Sequence, residues 1–107
     1  MTLAVSGSIN RVRQPTIPVA VLDARQRQFI TLNFIIDTGF DGDLQLPTAD
    51  ISRLSLTSTG TVNTQLADGQ VVRARTYPAT VIWLGTSTAV NVVESEKNIP
   101  LIGANLL

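Results

Sequence analysis

The 107-residue chain contains no cysteine and no histidine. Without cysteine there are no disulfides, thiolate nucleophiles or cysteine-based zinc sites. Without histidine the Ser-His-Asp and Cys-His triads and most transition-metal sites are excluded as well. Aromatics are scarce, with three Phe, one Trp and one Tyr, so the core must be aliphatic. Neither sign of charge is in excess: eight Lys and Arg balance eight Asp and Glu. That balance gives no reason to expect nucleic acid or an anionic membrane as partner. The opening MTLAVSGSINRVRQPT lacks the apolar run of a signal peptide, and no window approaches the run of about 18 apolar residues that a spanning helix needs. The default expectation is a soluble, cytoplasmic protein. Its chemistry is confined to carboxylates, hydroxyls, amides, lysine and arginine.

What is present has the period of β-strands. Thr16 to Leu22 is β-rich and closes at the polar turn Asp23-Ala24-Arg25. Gln28 to Asp37 alternates, with Ile30, Leu32, Phe34 and Ile36 on one wholly apolar face. That face is the expected core face, opposite Phe29, Thr31, Asn33 and Ile35. A short helix or turn is expected from Thr48 to Leu54, capped by Thr48. Thr61 to Leu66 and Val71 to Leu84 read as strands joined at Asp68-Gly69, a strong hairpin signal. Gly85-Thr86-Ser87 reads as a second turn into a strand from Thr88 to Val93. A polar loop, Ser95 to Asn98, leads to a last short strand, Pro100 to Ile102, and Gly103 to Leu107 reads as the start of a helix. Short strands with turn signals about every ten residues indicate one all-β domain over 1–107, a closed barrel or sandwich with at most one or two short helices. A chain of this length hides roughly two-thirds of its unfolded surface.

The stretch FIIDTGFDGDLQLP stands out because an apolar strand ends in a carboxylate, Asp37. Burying such a charge without a partner is costly. One reading of DTGFDGD is a polar turn, which Asp, Thr and Gly favour. Another is calcium, from the recurrence of Asp37, Asp41 and Asp43. An EF-hand loop started at Asp37 would, however, put a ligand at Gly39 and its closing Glu at Thr48, and the flanks are not helical.

A third reading takes in the whole chain. The strand ending in Asp-Thr-Gly, the later hairpin QLADGQVV and the terminal PLIGANLL together resemble the retroviral-type aspartic proteases, or retropepsins, most of all their single-domain bacterial members. The resemblance runs from about Thr16 to Leu107. It implies a homodimeric, all-β aspartic endopeptidase that hydrolyses peptide bonds with a water activated between two Asp37 carboxylates, one from each subunit. Its partners would be a peptide or protein substrate and a second copy, and it needs no cofactor and no metal. Asp37 would be the catalytic carboxylate, Thr38 the hydroxyl tying the two active-site loops together, and Gly39 the residue that lets backbone approach closely. Asp41 would receive substrate amides, and Ala67, Asp68 and Gly69 would form the tip of a flap closing over an extended peptide. Leu101 and Ile102 would pack behind the active-site loop and help line side-chain pockets.

The chain departs from the pattern in four places. Phe40 replaces the small residue that retroviral members place after Asp-Thr-Gly. Ala104 replaces an Arg that would pair with Asp41. The flap is not glycine-rich. The resemblance also implies a C-terminal helix and interface strand, so either the chain is cut after Leu107 or dimerisation relies on the N-terminal strand and the active-site loops. These departures keep an alternative open, a catalytically silent dimerisation or peptide-binding module of the same fold. A β-barrel binding protein unrelated to proteases would leave the order of the three motifs unexplained. Outside them, Trp83 reads as core or interface and Tyr77 as reaching the flap base or as ordinary edge-strand packing. Arg11, Arg13, Arg25 and Arg27 read as solvated surface.

Overall fold

The computed structural model describes residues 8–9, 14–65 and 68–107. In chain order these form β1 (Ser8–Ile9), β2 (Pro15–Asp23), β3 (Gln28–Asp37), β4 (Leu44–Pro47), α1 (Thr48–Arg53), β5 (Gly60–Gln65), β6 (Val71–Trp83), β7 (Thr86–Ser95) and β8 (Leu101–Gly103). The expected all-β fold forms. Six strands close a barrel in the order β2-β3-β8-β4-β7-β6, sealed where Ala20 and Val21 pair with Ile82 and Val81. β1 adds to the start of β2, and β5 adds to the first half of β6.

Alternation dictates the interior. Ile17, Val19 and Val21 of β2 point inward with Phe34, Val81, Val90, Val92 and Ile102. Ile51 and Leu54, from α1 and its C-cap, plug one end. Asp23 is buried at the end of β2 because its carboxylate accepts the backbone N–H groups of Arg25 (2.9 Å) and Gln26 (3.1 Å). Those bonds build the turn into β3. On β3 the predicted apolar face packs inward, but Ile35 on the opposite face is buried too. There β3 is sheltered on both edges, Ile35 being paired with Thr16 of β2 and Leu101 of β8.

Three local expectations change. Thr48 does not cap α1: Pro47 occupies the N-cap, and the Thr48 hydroxyl donates to Glu94 at 2.7 Å. The turn before β7 is Leu84-Gly85, both at positive φ (51° and 80°), so Thr86 and Ser87 already belong to the strand. Two left-handed residues in a two-residue loop match the twist of the flanking strands. After β8 the chain makes a turn, with the Leu106 N–H donated to the Gly103 carbonyl at 3.3 Å, where a helix start was expected. Among the described residues no helix is long and apolar enough to cross a membrane.

Candidate active site

Asp37 ends β3 at the mouth of the barrel. A parallel ladder with β8 aligns Ile35 with Leu101, Ile36 with Ile102 and Asp37 with Gly103. Beyond the strand the chain turns sharply. Asp37 Oδ1 accepts the Gly39 N–H at 3.0 Å, and the Asp37 carbonyl accepts the Phe40 N–H at 3.1 Å. Asp37 is half-buried, while Thr38 and Gly39 are exposed at the tip. A Cβ on Gly39 would stand 3.3 Å from Asp37 Oδ1, so a larger residue would crowd the carboxylate.

Two other glycines make room for Phe40. A Cβ on Gly42 would lie 2.6 Å from Phe40 Cζ. One on Gly103 would overlap the Gly42 carbonyl oxygen and stand 2.6 Å from the Phe40 carbonyl oxygen. The bulky residue after Asp-Thr-Gly is therefore seated on glycine surfaces. The turn after β8 is bound to the same loop through backbone bonds: Gly103 N–H to the Asp43 carbonyl (2.8 Å), Ala104 N–H to Phe40 (2.8 Å) and Asn105 N–H to Gly42 (3.3 Å). The Asp43 side chain adds two more, accepting the Asn91 backbone N–H at 2.9 Å and the Asn105 Nδ2 at 2.5 Å.

Asp37, Gly39, Asp41, Gly69 and Leu101 border one open cleft of about 1480 Å³, and Val62 and Val72 of the β5–β6 hairpin line it as well. Ala67 lies outside the described residues. Asp68 uses its side chain within the hairpin turn, Oδ1 accepting the Gln70 N–H at 2.9 Å. Ile102 is fully buried in the barrel core. It does not line the cleft, because alternation along β8 turns it inward and leaves Leu101 on the cleft side. Among the described residues no three acidic side chains converge as a metal site requires.

A second polar group lies in the cleft wall, where the hairpin joins the barrel. Glu94 on β7 accepts hydroxyl hydrogens from Thr48 and Tyr77, each at 2.7 Å. These bonds, with a smaller contribution from the nearby Arg75, hold the Glu94 carboxyl below its usual range. The bond to Glu94, then burial, raise the Tyr77 hydroxyl above 10.0. Tyr77 is buried one residue past Thr76, where β6 leaves β5 and takes up β7. Sequence reasoning missed Glu94, Asp43 and Asn105 as site residues. Their bonds span 17 to 62 positions, so local spacing does not reveal the partners.

No family model and no curated protein matches the sequence. Solved structures do. The EIAV protease complexed with an inhibitor superposes with a TM-score of 0.71 at 22% identity, covering 94% of this chain and 90% of that one. A retropepsin-like aspartic protease from Rickettsia conorii gives a TM-score of 0.61 at 21% identity, over 96% of this chain and 83% of its own. The foamy viral protease-reverse transcriptase matches at 0.61 and 19% identity, over 85% of this chain but 11% of that longer one. At these identities the likeness is one of architecture, and the architecture this chain adopts is the retropepsin fold.

Proposed function

We propose that this chain is an aspartic endopeptidase that works as a homodimer. The observation that carries the reading is Asp37, held on a glycine turn at the barrel mouth, in a cleft that the β5–β6 hairpin also lines. One such carboxylate is half of a hydrolytic pair. A second copy related by a two-fold axis, the commonest way to join identical surfaces, would supply the other. Two carboxylates that close cannot both be charged, so they share one proton and titrate as a pair.

The reaction then needs only that pair and a water. The ionised Asp37 takes a proton from the water, whose oxygen attacks the scissile carbonyl carbon. The protonated Asp37 gives its proton to the carbonyl oxygen, forming a neutral tetrahedral diol. As the C–N bond breaks, the proton held by the first Asp37 goes to the leaving nitrogen, and the carbonyl re-forms by returning a proton to the second. One proton remains on the pair, as at the start.

The peptide would lie extended, its amides received by Asp41 and its upper side covered by the hairpin around Asp68 and Gly69. Thr38, exposed at the tip of the turn, would bond across the two-fold axis. A cytoplasmic setting, with no nucleic acid or membrane partner, belongs to the same proposal.

A random peptide library offered to the wild type and to Asp37→Asn tests the activity. Cleavage by the wild type alone supports it. Equal cleavage by both would place the activity elsewhere. A wild type that dimerises and binds peptides but cleaves none would be the silent module.

A further inference from the structure

We infer that Asp43, with Asn105, is a positioning pair for the reaction: it sets the height and tilt of the loop that carries Asp37. This rests on the protease reading above. Asp43 lies six residues after Asp37 and begins the run into β4. It joins the loop to two other parts of the chain through three groups at once. Oδ2 accepts the Asn91 N–H of β7, Oδ1 accepts the Asn105 Nδ2, and the backbone carbonyl accepts the Gly103 N–H. Asn105 is committed from both ends, because its own N–H reaches the Gly42 carbonyl.

The loop 38–43 therefore has two anchors. At its start, Asp37 is in register with Gly103. At its end, Asp43 is fixed to β7 and to the turn after β8. Charged acceptors make stronger hydrogen bonds than neutral ones, and Asp43 has one on each oxygen. Asn105 contributes through Asp43 and is absent from the cleft lining. Without this tie the Phe40–Gly42 segment would keep its backbone bonds and the packing of the Phe40 ring on Gly42 and Gly103, and the end of the loop at Asp43 could shift relative to Asp37. The effect would fall on the spacing of the two Asp37 carboxylates. That spacing sets how strongly they share a proton and how well they meet the water.

Donor polarity provides the test. Asn105→Asp sets two carboxylates against each other, while Asp43→Asn lets one amide oxygen keep the Asn91 N–H and its NH₂ face Asn105, whose amide can turn over. Joining the two, Asp43→Asn with Asn105→Asp, restores a donor–acceptor pair of opposite sense. Peptide cleavage is measured as kcat, KM and pH–rate profile, at a temperature where each variant is folded, with hydrogen exchange of 38–43 and 103–106 alongside. Asn105→Asp should lower kcat about 10- to 100-fold, the scale of a small misplacement, with much less change in KM and with displaced pH limbs. Asp43→Asn alone should be mild, and the double variant should recover most of the loss. Exchange in both segments should rise in Asn105→Asp and fall back in the double variant.

The inference is overturned if Asn105→Asp keeps the wild-type kcat and pH limbs, or if the double variant is no better than Asn105→Asp. It is equally overturned if exchange in the two segments is unchanged, a readout that needs no catalysis. If the wild type itself shows no Asp37-dependent cleavage, the protease reading fails, and the exchange data still judge the tie.

Discussion

The two sides of the cleft are built from the same backbone geometry at different densities. On the barrel side, the Asp37 loop is held by β3, β8, β4 and the turn after Gly103, with Leu44 and Ile102 fully buried beneath it. On the hairpin side, β5 has β6 as its partner, and Val62, Val71 and Val72 are 41%, 64% and 38% exposed. Few buried apolar contacts mean low local stability. The barrel side thus holds its carboxylate within a dense core, while the hairpin side rests on one strand pairing and half-exposed valines.

Three substitutions probe the contrast between the two sides. The largest effect is expected from Gly103→Ala, because its Cβ would strike backbone oxygens of Gly42 and Phe40 that cannot swing aside. Overpacking of this kind costs about 1–3 kcal/mol, and chemical denaturation should show it together with lost cleavage. Wild-type stability in Gly103→Ala would mean that the loop is loosely held.

Gly69→Ala comes next. Gly69 sits at φ 88°, and a Cβ there would meet nothing within 4 Å, so the penalty is conformational, about 1–2 kcal/mol. It should fall on the hairpin alone. Hydrogen exchange should quicken in 68–72 while 29–36 is unmoved, and global unfolding should shift less than for Gly103→Ala. Equal shifts for both variants would erase the contrast.

Tyr77→Phe tests the junction between the two sides. Losing its bond to Glu94 should cost about 0.5–1.5 kcal/mol. The sign of the pH dependence follows from the two shifts. Glu94 is lowered from 4.5, so its contribution is present above that value and lost as pH falls through the lowered pKa. Tyr77 is raised from 10.0, so its contribution is present below that value and lost as pH rises through the raised one. The stability gap between wild type and Tyr77→Phe should therefore be widest between these limits and narrow towards both extremes. A gap independent of pH would remove the bond from the account.

Much of this was legible in the sequence where the signals are local. The β-rich run of β2, the alternation on β3, the Asp23 turn and the Asp68-Gly69 hairpin follow from side-chain type, period and turn chemistry. Asp37, Gly39, Asp41, Gly69 and Leu101 do gather at one cleft. Ile102 was misjudged because neighbouring strand residues face opposite ways, and a motif names both alike. Thr48 looked like a cap because its long-range acceptor, Glu94, is invisible to local reading. Asp43 looked like one of three spaced acids, whereas its oxygens are taken by Asn91 and Asn105, far along the chain.

Subunit mixing asks whether Asp37 acts with the Asp37 of a second copy, as proposed. Wild-type chain at fixed concentration is titrated with Asp37→Asn chain, and peptide cleavage is followed. If the site is shared, mixed dimers carry one carboxylate, and activity should fall towards zero as the variant comes into excess. Activity that stays constant per wild-type chain, across mixtures shown to exchange subunits, would contradict the account.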